Sequence, residues 1–155
     1  VGSLVELKQW SLLLNTVEEL AASNAPHRAV MVGDGPLRPA LQAEVHNRGL
    51  SDAVTFTGTL PRPQVLRLMS QAQILLHPAR YEGQGFVFCE ALSRGMSIVS
   101  GPFGMALPSP RWRVVEPTGF TEACLALFSE PPTTSAEIPF PVADTVKAYT
   151  RLWSV

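Results

Sequence analysis

The sequence predicts an α/β fold: a doubly wound, mostly parallel Rossmann-like sheet of about six strands, with helices on both faces and a C-terminal crossover helix. Three observations carry this. Strand-like and helix-like segments alternate along all 155 residues. The strand-like runs are apolar on both faces, which is the pattern of strands covered by helices on each side. Hydrophobic residues make up 46% and charged residues 16%, the balance of a folded chain with a sizeable core.

The elements follow in order. Residues 1–5 read as a short strand. Residues 9–23 read as a helix, with Trp10, Leu13, Leu14, Val17 and Leu20 recurring at helical spacing. Residues 29–32 form an apolar run closed by the turn Gly33-Asp34-Gly35-Pro36. A helix over 37–48 tolerates Pro39 in its first turn and stops at Gly49. Residues 54–57 are a strand, 63–72 a helix, 74–77 a strand, 86–93 a helix and 97–100 a strand. Glycines and prolines make a loop of 101–111. A short strand at 114–115 and a helix over 120–129 complete a domain expected to span 1–130. A Pro-rich linker over 131–141 and a terminal helix over 142–155 follow.

Composition bounds the function. The formal net charge is −1 and no Lys/Arg run is present, so neither nucleic acid nor a membrane surface is an expected partner. A membrane span needs roughly 18 consecutive apolar residues, and none is expected here. Residue 1 opens directly into strand-like sequence, so no signal peptide is expected. Val1-Gly2-Ser3 is an unusual natural start, and the chain is expected to be a piece of a longer polypeptide. Cys89 and Cys124 sit in apolar helical patterns and read as buried thiols of a reducing compartment, not a disulfide or metal pair.

In doubly wound sheets the site lies beyond the carboxyl ends of the strands. The richest segment there is Tyr81-Glu82-Gly83-Gln84-Gly85-Phe86-Val87-Phe88-Cys89-Glu90-Ala91, which leaves a buried strand and opens a helix. Gly83 and Gly85 let backbone approach a ligand closely. The following helix N-terminus offers N–H groups and a positive dipole end to an anion, and a diphosphate suits it. Glu82 and Glu90, with seven residues between them, cannot serve phosphate. They suit hydroxyl donors such as those of a sugar and a ribose.

The segment Tyr-Glu-Gly-x-Gly-Phe-Val-Phe-x-Glu-Ala-Leu-Ser-x-Gly resembles the signature of the family-four retaining glycosyltransferases, which are built from two Rossmann-like domains (GT-B architecture). Val1-Gly2-x-Leu4 with Lys8, Val32-Gly33-Asp34-Gly35-Pro36, Val54-x-Phe56-x-Gly58 and Val115-Glu116-Pro117 resemble further family segments in the same order. The terminal helix with Tyr149 and Trp153 resembles the one that crosses back to the partner domain. The resemblance implies the donor-binding C-terminal half of an enzyme that moves a sugar from a nucleotide-diphosphate donor to a hydroxyl, with no cofactor and no metal. It implies Glu82 on the donor sugar as the catalytic contact and Glu90 on the ribose. Lys8 with backbone at Gly83, Gly85 and Phe86 would hold the diphosphate, Gly33 the turn beside it, and Gly58 with Leu60 would border the base. The acceptor would sit on an N-terminal Rossmann-like domain. Localisation would be cytoplasmic, or at the cytoplasmic face of a membrane through that domain.

Three departures from the family pattern stand out. Ser3 stands where an arginine usually joins the lysine on the diphosphate. Met105 replaces the second glycine of the loop that begins at Gly104, and Pro108 stands where a glutamate is common. Gln84 replaces an aromatic residue. Arg80, Arg111 and Arg113 are candidates for replacing the missing charge. Three competing readings are a degenerate scaffold without donor binding, half of a sugar-nucleotide epimerase, and a flavodoxin-like binding module, against which the lack of a phosphate-loop motif after the first strand speaks. Among other polar residues, Asp34 reads as a turn former, His77 as a hydrogen-bonded structural histidine at a strand end, and His27 and His46 as surface residues.

Overall fold

The structure, a computed structural model, describes residues 1–82, 85–102 and 106–131. Gly83, Gln84, Gly104, Met105, the linker beyond Pro131 and the terminal helix with Tyr149 and Trp153 lie outside the described residues.

Helix α1 (Trp10–Ala22) follows a short 3-10 turn (Glu6–Lys8). Then come β1 (Ala29–Val32), α2 (Arg38–Asn47), β2 (Val54–Gly58), α3 (Arg62–Met69), β3 (Ile74–His77), α4 (Phe86–Ser93), β4 (Ser97–Ser100), β5 (Trp112–Val114) and α5 (Phe120–Ser129). All strand pairs are parallel. Strand β1 pairs with β2, while β4 lies between β3 and β5.

Each helix is bounded by identifiable signals. Trp10, Leu13, Leu14, Val17 and Leu20 of α1 are buried, as the helical stripe requires. Pro39 sits in the first turn of α2, and Gly49 follows its last residues with φ +69°, the left-handed stop that glycine takes without strain. Helix α4 opens after Gly85 (φ +61°) and ends before Gly95 (φ +86°).

Both faces of the sheet are covered. Ile98 of β4 packs with Val65 and Met69 of α3 and with Phe88 and Leu92 of α4. Its neighbour Val99 packs with Leu20 of α1 and with Phe120, Cys124 and Leu127 of α5. Adjacent residues of a strand point to opposite faces, so this alternation is the doubly wound arrangement read directly. Cys89 and Cys124 are free thiols. Burial holds Cys89 above the ordinary thiol range and pushes Cys124 up to about 12.

The described residues form five strands instead of about six. Residues 1–5 run extended beside the end of β1. The Gly2 N–H donates to Val32 C=O and the Leu4 N–H to Asp34 C=O, both at 2.9 Å. These bonds straddle Gly33, where β1 turns away to bridge Gly58, so the pairing does not grow into a ladder. The last strand is Trp112–Val114 and not 114–115. Trp112 starts it because its indole is buried against Phe88, ring centroids 4.7 Å apart, and donates to Ser100 Oγ at 2.8 Å.

Candidate functional site

The carboxyl ends of the strands, the 3-10 turn and the start of α4 meet at one place. Lys8 is held there by its own neighbourhood. Trp10 Nε1 donates to Ser3 C=O at 3.2 Å, and Arg80 N–H donates to Leu7 C=O at 3.1 Å. The turn carrying Lys8 is thus tied both to the extended 1–5 segment and to the loop after β3. Lys8 Nζ donates to Glu82 Oε2 at 2.6 Å, across 74 residues of sequence. Both side chains are largely buried.

His77 ends β3 and completes the cluster. It is buried, its Nε2 lies 3.2 Å from the same Glu82 oxygen, and its ring meets Phe88 edge-on at 4.8 Å. Burial first, then the charge of Lys8, hold His77 down to a pKa of about 4, although Glu82 pulls the other way. It is neutral at physiological pH. Burial alone would raise the Glu82 carboxyl. The hydrogen bond and charge of Lys8 outweigh it, with His77 and the Gly85 N–H assisting, and hold the group below the ordinary carboxylate value. Glu82 is therefore a fixed anion.

Helix α4 contributes its N-terminus. Its first N–H groups have no preceding helical carbonyls, and Gly85 has no side chain to cap them. A Cβ on Gly85 would come within 2.9 Å of the Phe88 ring, so both the backbone angle and the space demand glycine. Phe86 is 67% exposed beside this opening. One turn further on, Glu90 is ion-paired with Arg62 of α3 at 2.7 Å. The two glutamates thus serve separate cations, Lys8 and Arg62.

Gly33 and Gly58 face each other, with the Gly33 N–H donating to Gly58 C=O at 2.9 Å. A Cβ on Gly33 would lie 1.9 Å from Gly2 C=O, so this glycine is required by the close approach of the 1–5 segment. Gly58 (φ +71°) sits beside the Asp34–Arg38 ion pair. Asp34 is a turn former, its Oδ1 accepting from the Gly35 N–H at 2.8 Å.

Of the three arginines considered as replacement charges, two are committed elsewhere. Arg111 is buried and donates to Met96 C=O at 2.5 Å and Leu92 C=O at 3.4 Å, closing the C-terminal end of α4. Arg113 pairs with Glu130 at 2.5 Å. Arg80 is exposed in the loop after β3, two residues before Glu82. Sequence reasoning missed Arg62 altogether, because a pair 28 residues apart leaves no spacing signal. The strand-end position of His77 allows a side chain aimed into the cleft, although the sequence favours a structural histidine there.

The family model for glycosyl transferases group 1 matches residues 1–108. The chain belongs to the group 1 glycosyl transferases. It is 33% identical to a 2-deoxystreptamine glucosyltransferase of Streptomyces kanamyceticus over 64% of this chain and 26% of that protein. It is 32% identical to the phosphatidylinositol N-acetylglucosaminyltransferase gpi3 subunit of Schizosaccharomyces pombe over 76% of this chain and 26% of that one. The chain thus spans about a quarter of the length of these group 1 relatives. Among solved structures it resembles Anabaena HepE in complex with UDP and glucose (TM-score 0.75, 17% identity, 99% of this chain and 47% of that one). It also resembles the C-terminal domain of the group 1 protein LpcC of Francisella tularensis (TM-score 0.74, 15% identity, 94% and 82%). The fold is the one these two structures share. No helix among the described residues is long and apolar enough to cross a membrane.

Proposed function

We propose that this chain is the nucleotide-sugar-binding half of a retaining glycosyltransferase, which moves a sugar from a nucleotide-diphosphate donor to a hydroxyl acceptor. The observation that carries the reading is the convergence of Lys8, Glu82 and the uncapped start of α4 at the carboxyl ends of the strands. A cation and a helix N-terminus suit a diphosphate. A carboxylate held ionised between them suits a hydroxyl donor, so the pair fits a ligand joining both chemistries.

Each residue then has a role. Lys8 and the N–H groups at Gly85 and Phe86 receive the diphosphate and stabilise the charge that grows on it as the bond to the sugar breaks. Glu82 touches the sugar hydroxyls and orients the ring, which makes it the catalytic contact. His77, neutral, holds the Glu82 carboxylate in place. Glu90 accepts from the ribose hydroxyls once Arg62 swings aside, and Gly33 and Gly58 shape the wall toward the base. The acceptor comes from an N-terminal Rossmann-like domain, and the work is cytoplasmic or at the cytoplasmic face of a membrane.

A thermal titration of the 155-residue chain with UDP, GDP, ADP and their sugar conjugates tests this. Ligand at about 100 times its dissociation constant adds roughly 2.7 kcal/mol of stability. The expected result is stabilisation by one nucleotide family, weakened in Glu90→Ala. A cooperatively folded chain stabilised by none of them supports the degenerate-scaffold reading instead.

A further inference from the structure

Lys8 and Glu82 meet from two segments that share no element, the 3-10 turn and the loop that leaves β3. What fixes one against the other lies at Gln9. This residue joins the turn to α1 in the left-handed conformation, with φ +48° and ψ +47°. Only one other non-glycine residue among the described ones has a positive φ. It is Asn24, a residue type that enters this region readily. Glutamine does so less readily, because its Cβ crowds the following carbonyl. Such a conformation persists where the surroundings over-determine it.

The backbone accounts for part of this. Gln9 N–H donates to Glu6 C=O at 2.9 Å, and Leu12 N–H donates to Gln9 C=O at 3.0 Å, so one residue closes the turn and opens the helix. The side chain is spent elsewhere. Gln9 is the N-cap of α1, yet its amide caps no helical N–H. The amide is oriented by two neighbours instead. Its Nε2 donates to Pro78 C=O at 2.8 Å, and its Oε1 accepts from Arg80 Nε at 3.1 Å. Arg80 N–H in turn donates to Leu7 C=O at 3.1 Å. Leu7 and Gln9, on either side of Lys8, are therefore both tied to residues 78–80, and Glu82 follows directly after that segment. The bond from Arg80 to Leu7 alone is a pivot about which the turn can rotate. The bonds of Gln9 add a second attachment beyond Lys8 and remove that rotation.

We propose that Gln9 is a positioning residue of the candidate site: stapled to Pro78 and Arg80, it holds the left-handed turn that aims Lys8 at Glu82. It touches no ligand, and its effect passes through Lys8. What the aim is for rests on the reading of Lys8 and Glu82 as donor contacts. A cation and a carboxylate held in place beforehand need not be ordered by the ligand. Glycine at position 9 would supply the same backbone without strain but no amide. The staple and the strain can therefore be separated by substitution.

The test compares the parent chain with Gln9→Gly and Gln9→Met by NMR and thermal unfolding. Lys8 and Lys147 are the only lysines of the sequence, so the ε-ammonium signal of Lys8 can be followed by itself. In Gln9→Gly the relieved strain offsets the lost bonds, and the Tm is expected to stay within about 3 °C of the parent. Hydrogen exchange of the Lys8 ammonium is nevertheless expected to quicken by about tenfold, the factor carried by one ordinary hydrogen bond. The Glu82 carboxyl is expected to titrate higher than in the parent, because burial raises it and Lys8 holds it down. Gln9→Met keeps the side-chain length and the strain but not the staple. It is expected to show the same two changes with a Tm lower by about 3–6 °C. Unchanged ammonium exchange and an unchanged Glu82 titration in Gln9→Gly would overturn the proposal. So would an equal fall in Tm for both variants, since the turn would then hold no strain for the staple to balance. No nucleotide enters these measurements, so a failed staple and a failed donor reading are told apart.

Discussion

Replacing Glu82 by glutamine separates the two chemistries assigned to the site. In the parent, Glu82 occupies Lys8 at 2.6 Å, so a bare nucleoside diphosphate must displace a carboxylate to reach the lysine. The side chains are 21% and 17% exposed, so the pair is worth more than a surface ion pair and less than a fully buried one. A charge-assisted hydrogen bond of this kind is worth about 1.5–3 kcal/mol, or roughly ten- to a hundredfold in affinity. In Glu82→Gln the bare nucleotide gains access to a free Lys8 and binds more tightly. The sugar conjugate loses its charged acceptor. The ratio of sugar-conjugate to nucleotide affinity is therefore expected to fall by about ten- to a hundredfold, with both terms moving. Isothermal titration calorimetry on parent and variant reads each affinity. If the two ligands keep the same ratio in both proteins, Glu82 does not touch the sugar and the assignment fails.

Other outcomes follow from the same geometry. His77 titrates near 4 when folded against an ordinary 6.5, so the unfolded chain binds the extra proton first and stability is lost as pH falls below 6.5. The His77 share of the loss between pH 7 and pH 5 is about 2 kcal/mol, read by urea unfolding, and the pH dependence is expected to shrink by about that amount in His77→Gln. Arg111→Leu leaves the carbonyls of Leu92 and Met96 without their buried donor and is expected to cost about 2–4 kcal/mol in urea unfolding while leaving nucleotide affinity unchanged. Gly33→Ala drives a methyl group into Gly2 C=O and is expected to cost several kcal/mol, whereas Gly49→Ala meets open space and is expected to cost about 1 kcal/mol. The comparison of the two glycine variants by thermal unfolding separates close approach from backbone angle alone.

Much of the fold was legible because its signals are local. The α1 stripe, the apolar runs of β1, β3 and β4, and the glycines at 49, 85 and 95 each declare an element within a few residues. The segment 1–5 was less legible, because whether an apolar run becomes a strand depends on what lies beside it, and Gly33 turns β1 away after one rung. The site was half legible. Glu82 and Glu90 stand out by their place around a glycine-rich helix start. Arg62 does not, because it reaches Glu90 across 28 residues, and the pairing of Lys8 with Glu82 across 74 residues leaves no spacing signal either. Arg111 drew attention by charge and is instead buried under the end of α4. Sequence distinguishes poorly between a cation that serves a ligand and one that satisfies a helix terminus.

A two-dimensional amide NMR titration of the chain with UDP probes the site most directly. Shifts concentrated at Lys8, Glu82, Gly85, Phe86 and Glu90, and diminished in Lys8→Ala, are the expected result. Saturable binding whose shifts map instead to the arginines at 62, 67 and 94, with Lys8 and Gly85 unmoved, would contradict the assignment of the donor to the carboxyl ends of the strands.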